Sequence, residues 1–336
     1  MDDGAHLGTK ALAHINDSVG RLADAADEIT DPEYADAIRT IPRWHFSMLN
    51  DIERNDAFSA TLDRVVSPGA HVLDIGSGTG LLAMMAAKAG AGHVFTCEEN
   101  PLLAELARQI VARHGLSAVV TVIPKRSTDL RVGIDLPRPA DLIISEVVDC
   151  GLIGEGVLPT IRHARCHLLA PGGTLVPQSA RIMGALVDSI AIDRLNRVGS
   201  AGGFEVSLFN KVATRGHFPV RLHTWPHRWL SEPAELVGFD FAGDALADGH
   251  VETEFRVSSS GQAHMMVAWF EMTLTNGITL RNSPDNLASH WMQACIPFEM
   301  PLCVESGESV RVQFSWQLGK LSVQCQGATR LGKELS

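Results

Sequence analysis

The stretch from Val72 to Gly80, VLDIGSGTG, joins a short apolar run to three glycines at alternate positions. An apolar run of that length reads as a buried strand, and residues without a Cβ at its end let a ligand approach the backbone. The Ala-rich segment that follows, LLAMMAAKAG, reads as a helix whose N-terminus faces such a ligand. The spacing G-x-G-x-G differs from the G-x-G-x-x-G dinucleotide fingerprint, and no G-x-x-x-x-G-K-[ST] phosphate loop occurs. Taken alone, the run fits either a ligand cradle or a tight strand-to-helix turn.

Its surroundings favour the cradle. From Val65 the segments HVLDIG, LLAMMAAKAG, HVFTCE, LLAELARQIVARHG, AVVTVI and DLIISE alternate strand and helix, the pattern of parallel βαβ units in a doubly wound sheet. Such sheets bind ligands at the carboxyl ends of their strands. Asp74, Glu98, Asp129 and Glu146 all fall at such ends. The acid after the second strand, Glu98, can accept both hydroxyls of a ribose, and alternation sends Glu99 to the opposite face. After Glu146 a glycine-punctuated loop, VVDCGLIGEG, carries Asp149 and Glu155. Glu146 and Glu155 stand nine residues apart across a Gly-Leu-Ile-Gly turn, either as a pincer or as ordinary solvated acids. The segment beyond them reads as a helix ended by Pro171-Gly172-Gly173.

Upstream, apolar residues at helical spacing predict a helical N-terminal segment over residues 1–50. Tyr34 opens a helical stretch that runs through Ile41-Pro42, and His45, Met48, Leu49, Asp51 and Arg54 can share one broad face of it. Spacing alone makes Met48 and Leu49 core residues and Arg54 a solvated charge. The strand-helix alternation predicts a nucleotide-binding domain over 51–175. Beyond it, from 176 to 336, alternating β segments with turn signals such as Thr275-Asn276-Gly277 predict a mostly antiparallel domain, a sandwich or barrel. Residues 190–235, rich in Arg, His, Trp and Gly, read as an arm.

With 336 residues, 45% of them hydrophobic, the chain can form two such domains. A net charge of −11 argues against nucleic acid as a partner and suits a cationic substrate. No run approaches the 18 apolar residues of a membrane span, and an acidic N-terminus without an apolar stretch after it predicts a cytoplasmic protein. Six scattered cysteines without C-x-x-C indicate neither a metal site nor a disulfide framework. Arginine outnumbers lysine 22 to 6, a bias of G- and C-rich genes that suits a bacterial origin.

These residues together resemble the protein arginine methyltransferases, from Tyr34 to the C-terminal β domain. The family's H-x-x-M-L-x-D-x-x-R motif stands as His45, Met48, Leu49, Asp51 and Arg54, and its VLD-x-G-x-G-x-G motif as Val72 to Gly80. Its double-glutamate loop is SEVVDCGLIGEG with Glu146 and Glu155, and its Thr-His-Trp loop is Ser289-His290-Trp291. The D-x-x-LIGEG and HWMQ forms look most like the subfamily that makes monomethylarginine. The resemblance implies a Rossmann-like domain that binds S-adenosyl-L-methionine (SAM), a β-barrel domain, a dimerisation arm and a homodimer. It assigns the SAM carboxylate to Arg54, the neighbourhood of the sulfonium to Met48, the ribose to Glu98, the adenine amino group to Asp129 beside Ser127, and the rest of the cradle to Asp74, Gly76, Gly78 and Gly80. Glu146 and Glu155 would hold the substrate guanidinium, with Trp291 walling its channel and Tyr34 covering the site. Asp51 and His290 would form a pair that positions the N-terminal helix and carries away the released proton.

This assignment has a physical logic. The sulfonium of SAM and a guanidinium of pKa above 12 are both cations. Two unit charges ~4 Å apart repel by about 4 kcal/mol at an effective dielectric of 20. Two carboxylates offset that repulsion, fix the guanidinium through charge-assisted bonds, and draw positive charge away from the nitrogen that attacks. Some positions depart from the family pattern. Ser289 replaces the usual Thr, the N-terminal aromatic motif is reduced to Tyr34-Ala35-Asp36, and one methyltransferase unit stands where animal monomethylating relatives carry two. The acceptor is free L-arginine or an arginine of a peptide or protein, and free arginine would need a partner for its α-carboxylate, such as Arg43, Arg39 or a basic residue of the arm. A non-catalytic SAM-binding partner and a methyltransferase for another small amine are the competing readings.

Overall fold

The computed structural model describes residues 38–39, 41–243 and 245–330, with only the backbone of the last three. Tyr34 and the helices expected before it lie outside the described residues. The chain divides into two compact units, one comprising residues 1–146 and 160–177, the other 147–159 and 178–336.

The first unit opens on two helices, α1 (Trp44–Leu49) and α2 (Ile52–Val65). They are separate. Asp51 adopts an extended conformation (ψ 98°) and caps α2 by accepting the Arg54 N–H, which ends the shared face expected for His45 through Arg54. No residue of α1 is buried, so Met48 and Leu49 are not core, whereas Arg54 is almost completely enclosed. Next come β1 (His71–Ile75), α3 (Leu81–Lys88), β2 (His93–Cys97), α4 (Pro101–Arg113), β3 (Val120–Ile123) and β4 (Ala140–Ser145). Helix α5 (Val157–His167) and strand β5 (Leu169–Val176) complete the series. The five strands pair in parallel in the order β3-β2-β1-β4-β5. β1 is buried along its whole length, as a strand covered on both faces must be.

The helices obey their capping signals. Asn100 accepts from the N–H groups of Leu102 and Leu103, and Pro101 occupies the first helical position, where no N–H is needed. Helix α5 stops at His167, earlier than Pro171-Gly172-Gly173 suggested, because Leu169 already pairs with Ala140 of β4. The parallel sheet takes the chain to Val176. Pro177, which has no N–H to donate to a ladder, separates β5 from the next strand.

The second unit is antiparallel. Its strands are β6 (Ser179–Asp188), β7 (Ser200–Ala201), β8 (Phe204–Glu205), β9 (Phe218–Val220), β10 (Arg228–Trp229), β11 (Ala234–Asp240), β12 (Gly249–Arg256), β13 (Gly261–Thr275), β14 (Ile278–Arg281), β15 (Gln293–Val304), β16 (Glu308–Gln317) and β17 (Lys320–Arg330). β13 lies between β6 and β15 in a seven-stranded sheet, and β12, β16 and β17 form a second sheet. Thr275-Asn276-Gly277 turns β13 into β14, with Gly277 at φ 78°. Val187, Ile192, Val220, Leu222, Met265, Val267 and Cys295 form a buried cluster, and Ile192 belongs to the short helix α6 (Ile190–Asp193) that begins the expected arm.

From α6 the arm continues through the β7–β8 hairpin and a 3₁₀ turn at Ser207–Val212. Arg197 fixes its base, donating to Asp193 at 3.0 Å and to the Phe298 carbonyl at 2.8 Å. Leu195, Phe204, Leu208, Phe209 and Val212 are each 52–75% exposed, an unusual density of apolar side chains for a solvated loop. No helix among the described residues is long and apolar enough to cross a membrane.

Candidate active site

The end of β1 is built to leave the backbone accessible. Gly76, Gly78 and Gly80 have φ of 87°, 51° and 77°, values that L side chains rarely adopt, so this path requires glycine. The N–H groups of Gly76 and Ser77 both donate to the Cys97 carbonyl at 3.0 Å, which ties the turn to β2. Nothing lies within 4 Å of where a Gly78 side chain would stand. Glu98, 9% exposed, accepts from the Gly78 N–H at 3.0 Å and the Asn100 N–H at 2.9 Å. Its carboxylate is thus held by backbone on one side of the cradle. Glu99 points outward instead, in a solvent-exposed pair with Arg126.

Asp74 lies beneath the glycines, fully buried. Its Oδ2 accepts from the Thr96 hydroxyl at 2.8 Å, and Thr96 in turn accepts from Ser77, while Oδ1 makes no hydrogen bond of normal geometry. Burial pushes its pKa up to about 7, against the lowering effects of Thr96 and Arg54. A buried carboxyl with an orphaned oxygen, under an open glycine backbone, fits a polar and cationic ligand such as SAM. Ser127 is buried and Asp129 exposed on one 3₁₀ turn after β3, and Met48 is half-buried on α1.

Arg54 and Glu146 meet. The Arg54 Nε donates to Glu146 Oε2 at 2.9 Å, its Nη2 donates to the same oxygen, and both side chains are 4% exposed. The Arg54 Nη1 donates to Asn55 Oδ1 at 2.9 Å, and its guanidinium lies 5.3 Å from the centre of the Phe58 ring. The resemblance assigned these two residues to different ligands, and the solvated charge that spacing predicted for Arg54 is in fact an enclosed ion pair. The arrangement displays one edge of a guanidinium gripped by the Glu146 carboxylate.

In the second unit the loop from Val147 to Gly156 is fixed from three directions. Trp291 Nε1 donates to the Val148 carbonyl at 3.2 Å, and Asn282 Nδ2 donates to the Cys150 carbonyl at 2.9 Å. His217 Nε2 is 2.6 Å from Asp149 Oδ2. Asp149 Oδ1 in turn accepts from the N–H groups of Gly151 at 3.1 Å and Gly154 at 2.8 Å. Asp149 is therefore the organiser of the loop rather than a solvated acid, and Glu155 is exposed near the loop's end. Trp291 packs against Phe270 and against His290, with ring centroids 5.2 and 4.0 Å apart. Ser289 is buried, His290 half-buried.

Sequence reasoning placed Asp149 on the loop and gave it no task, and it passed over His217 and Asn282. An Asp followed by glycines two and five residues on is an Asx-turn signal that could have found the first; the two partners, 68 and 132 residues away, leave no local trace.

Known proteins share this construction. The family model of the arginine methyltransferase oligomerization subdomain matches residues 179–324, and that of the ribosomal protein L11 methyltransferase matches 59–173. An arginine N(omega)-methyltransferase of Streptomyces achromogenes subsp. streptozoticus is 52% identical over 92% of this chain and 89% of its own length. Human protein arginine N-methyltransferase 9 is 30% identical over 84% of this chain, which spans only 38% of that protein. The solved Trypanosoma brucei PRMT1 enzyme-prozyme heterotetrameric complex with AdoHcy has the same fold, with a TM-score of 0.74 at 24% identity over 86% of this chain and 95% of that one. On the relative from Streptomyces, which it matches nearly end to end, the chain belongs to the protein arginine methyltransferase family.

Proposed function

We propose that the protein transfers the methyl group of SAM to a terminal guanidino nitrogen of arginine, that the product is Nω-monomethylarginine, and that the acceptor is free L-arginine. The grip of Glu146 on the Arg54 guanidinium carries the first part: the carboxylate at the end of β4 is placed and desolvated so that it binds this cation edge-on. For the acceptor, the Streptomyces relative is named for arginine, whereas the human one is named for protein arginine.

SAM, when bound, supplies an electrophilic methyl group on a sulfonium. The chain does the rest. The glycine backbone at 76–80, with Asp74, Glu98, Ser127, Asp129, Met48 and Arg54, binds and orients the cofactor. Glu146 and Glu155 bind the substrate guanidinium, align one nitrogen and draw positive charge to the others, which raises the nucleophilicity of the aligned nitrogen. Trp291 lines the substrate channel. The proton that the methylated nitrogen loses is taken up by a carboxylate or an imidazole, the role that the sequence resemblance gives to Asp51 and to His290.

The arm mediates a homodimer. Its exposed Phe204, Leu208 and Phe209 are the surface that a second copy covers, in keeping with the oligomerization subdomain matched over this part of the chain. All six cysteines are free, which suits a cytoplasmic location.

Incubation with methyl-labelled SAM and either free L-arginine or an Arg-Gly-rich peptide tests the reading. We expect label in monomethylarginine from free arginine and little in the peptide. Preferential labelling of the peptide would overturn the acceptor, and SAM binding with transfer to neither would make the chain a non-catalytic partner.

A further inference from the structure

Asp149 and Cys150, in the loop that presents Glu155, and His217 beside it place three metal-binding atoms within 4.8 Å of one another. The protons argue against a metal there. His217 Nδ1 accepts the Leu321 N–H at 3.0 Å, so the imidazole proton sits on Nε2, the nitrogen that faces Asp149 and that a metal would need. Burial raises the Cys150 thiol well above its ordinary pKa, so it is not a thiolate. The trio is a chain of directed hydrogen bonds: Leu321 N–H to His217, His217 Nε2–H to Asp149, and Gly151 and Gly154 N–H to the other Asp149 oxygen.

The surrounding residues are shaped by that chain. A Cβ on Gly154 would overlap the Asp149 carboxylate, and one on Gly151 would lie 2.8 Å from Leu321 Cδ1 and 3.0 Å from His217 Nε2. Both glycines are therefore required by what packs on them. Between them Leu152 is held at φ 76°, a left-handed conformation that an L residue keeps only when its surroundings impose it, and its side chain is fully buried. Glu155 follows the last Asp149-bonded amide by one residue.

We propose that His217 and Asp149 are a positioning pair that sets the conformation of the 147–156 loop, and thereby the place of Glu155 against the substrate guanidinium. The proposal rests on the reading of Glu155 as a guanidinium ligand. It makes the strength of the pair visible in the kinetics of arginine and not in those of SAM, whose proposed residues all lie on other segments.

Steady-state kinetics of the full chain test it. His217→Asn keeps an acceptor for the Leu321 N–H and loses the donor to Asp149, whereas His217→Gln keeps that donor. Asp149→Asn keeps the shape but sets an amide donor against either His217 or the glycine N–H groups. We expect His217→Asn and Asp149→Asn each to lower kcat/KM for arginine by at least tenfold with KM for SAM within twofold of wild type, and His217→Gln to retain most of the activity. The double variant His217→Asn/Asp149→Asn is expected to be no worse than the poorer single one, since both remove the same link. Unchanged arginine kinetics in His217→Asn and Asp149→Asn, additive losses in the double variant, or parallel changes in KM for SAM and arginine would overturn the proposal. Glu155→Gln separates the two levels. If it is inactive while the pair variants are normal, only the positioning pair fails; if it is as active as wild type, the guanidinium reading fails and the proposal with it.

Discussion

Two glycine-punctuated loops serve this protein, and they are held by opposite means. In Gly76–Gly80 the glycines themselves set the path, through three positive φ angles and hydrogen bonds between backbone and the adjoining strand. In Val147–Gly156 the path is set by side chains, the loop's own Asp149 and, from elsewhere, His217, Asn282 and Trp291, with Gly151 leaving room for His217 and Gly154 for Asp149. The first loop is set mainly by its own backbone and the strand beside it, the second by a folded domain. A loop of the first kind keeps its shape under substitutions outside it, and a loop of the second kind does not.

Substitutions can break this contrast in graded steps. The largest effect is expected where an acid acts directly on the substrate: Glu146→Gln, at the end of β4 just before the second loop, should reduce kcat at least a hundredfold, the scale of removing a preorganised electrostatic group, measured by single-turnover methyl transfer. Next comes a pair of alanines. Gly154→Ala collides with Asp149 and should raise KM for arginine more than tenfold without moving KM for SAM. Gly78→Ala meets no atoms and pays only the left-handed backbone strain of about 1–2 kcal/mol, which should weaken SAM binding while leaving KM for arginine alone. Equal effects of the two alanines on both substrates would erase the distinction between the loops.

A third measurement reads Asp74. Its pKa is raised in the fold from 3.8 to about 7, so between those values the native state binds more protons than the unfolded chain. Stability therefore falls as pH rises from about 4 to about 7 and is level above that, by up to about 4 kcal/mol for a shift of roughly three pKa units. Denaturant titrations of the wild type and Asp74→Asn should diverge over this window, with the variant lacking the decline. The smallest effect tests the alternation at the end of β2: Glu98→Gln should raise KM for SAM, whereas Glu99→Gln, which removes only a solvent-exposed ion pair, should change neither KM nor melting temperature measurably.

Legibility in the sequence followed the same division. The parallel sheet, its strand-end acids and the glycine cradle are local patterns, and HVLDIG followed by LLAMMAAKAG is enough to find them. The antiparallel unit was visible as a texture of alternating strands. What escaped was every feature that depends on distant pairing. Arg54 reads as a surface charge until Glu146, 92 residues on, encloses it. The break between α1 and α2 hinges on Asp51 turning its carboxylate back to Arg54 N–H, a capping signal hidden inside a continuous helical pattern. Helix α5 ends early because β4 claims Leu169, which no property of the helix itself announces.

The division of the chain has a consequence for dissecting it. Residues 147–159 are interposed between two stretches of the first unit, yet count with the second. A fragment beginning at Gln178 would keep Trp291, His217 and Asn282 but lack Val148, Asp149 and Cys150. It would carry interior donors stripped of their acceptors, at about 1–3 kcal/mol for each one left unmatched. The second unit is thus no free-standing module that could be moved to another protein by cutting at one point; the active loop is a thread that must be carried with it.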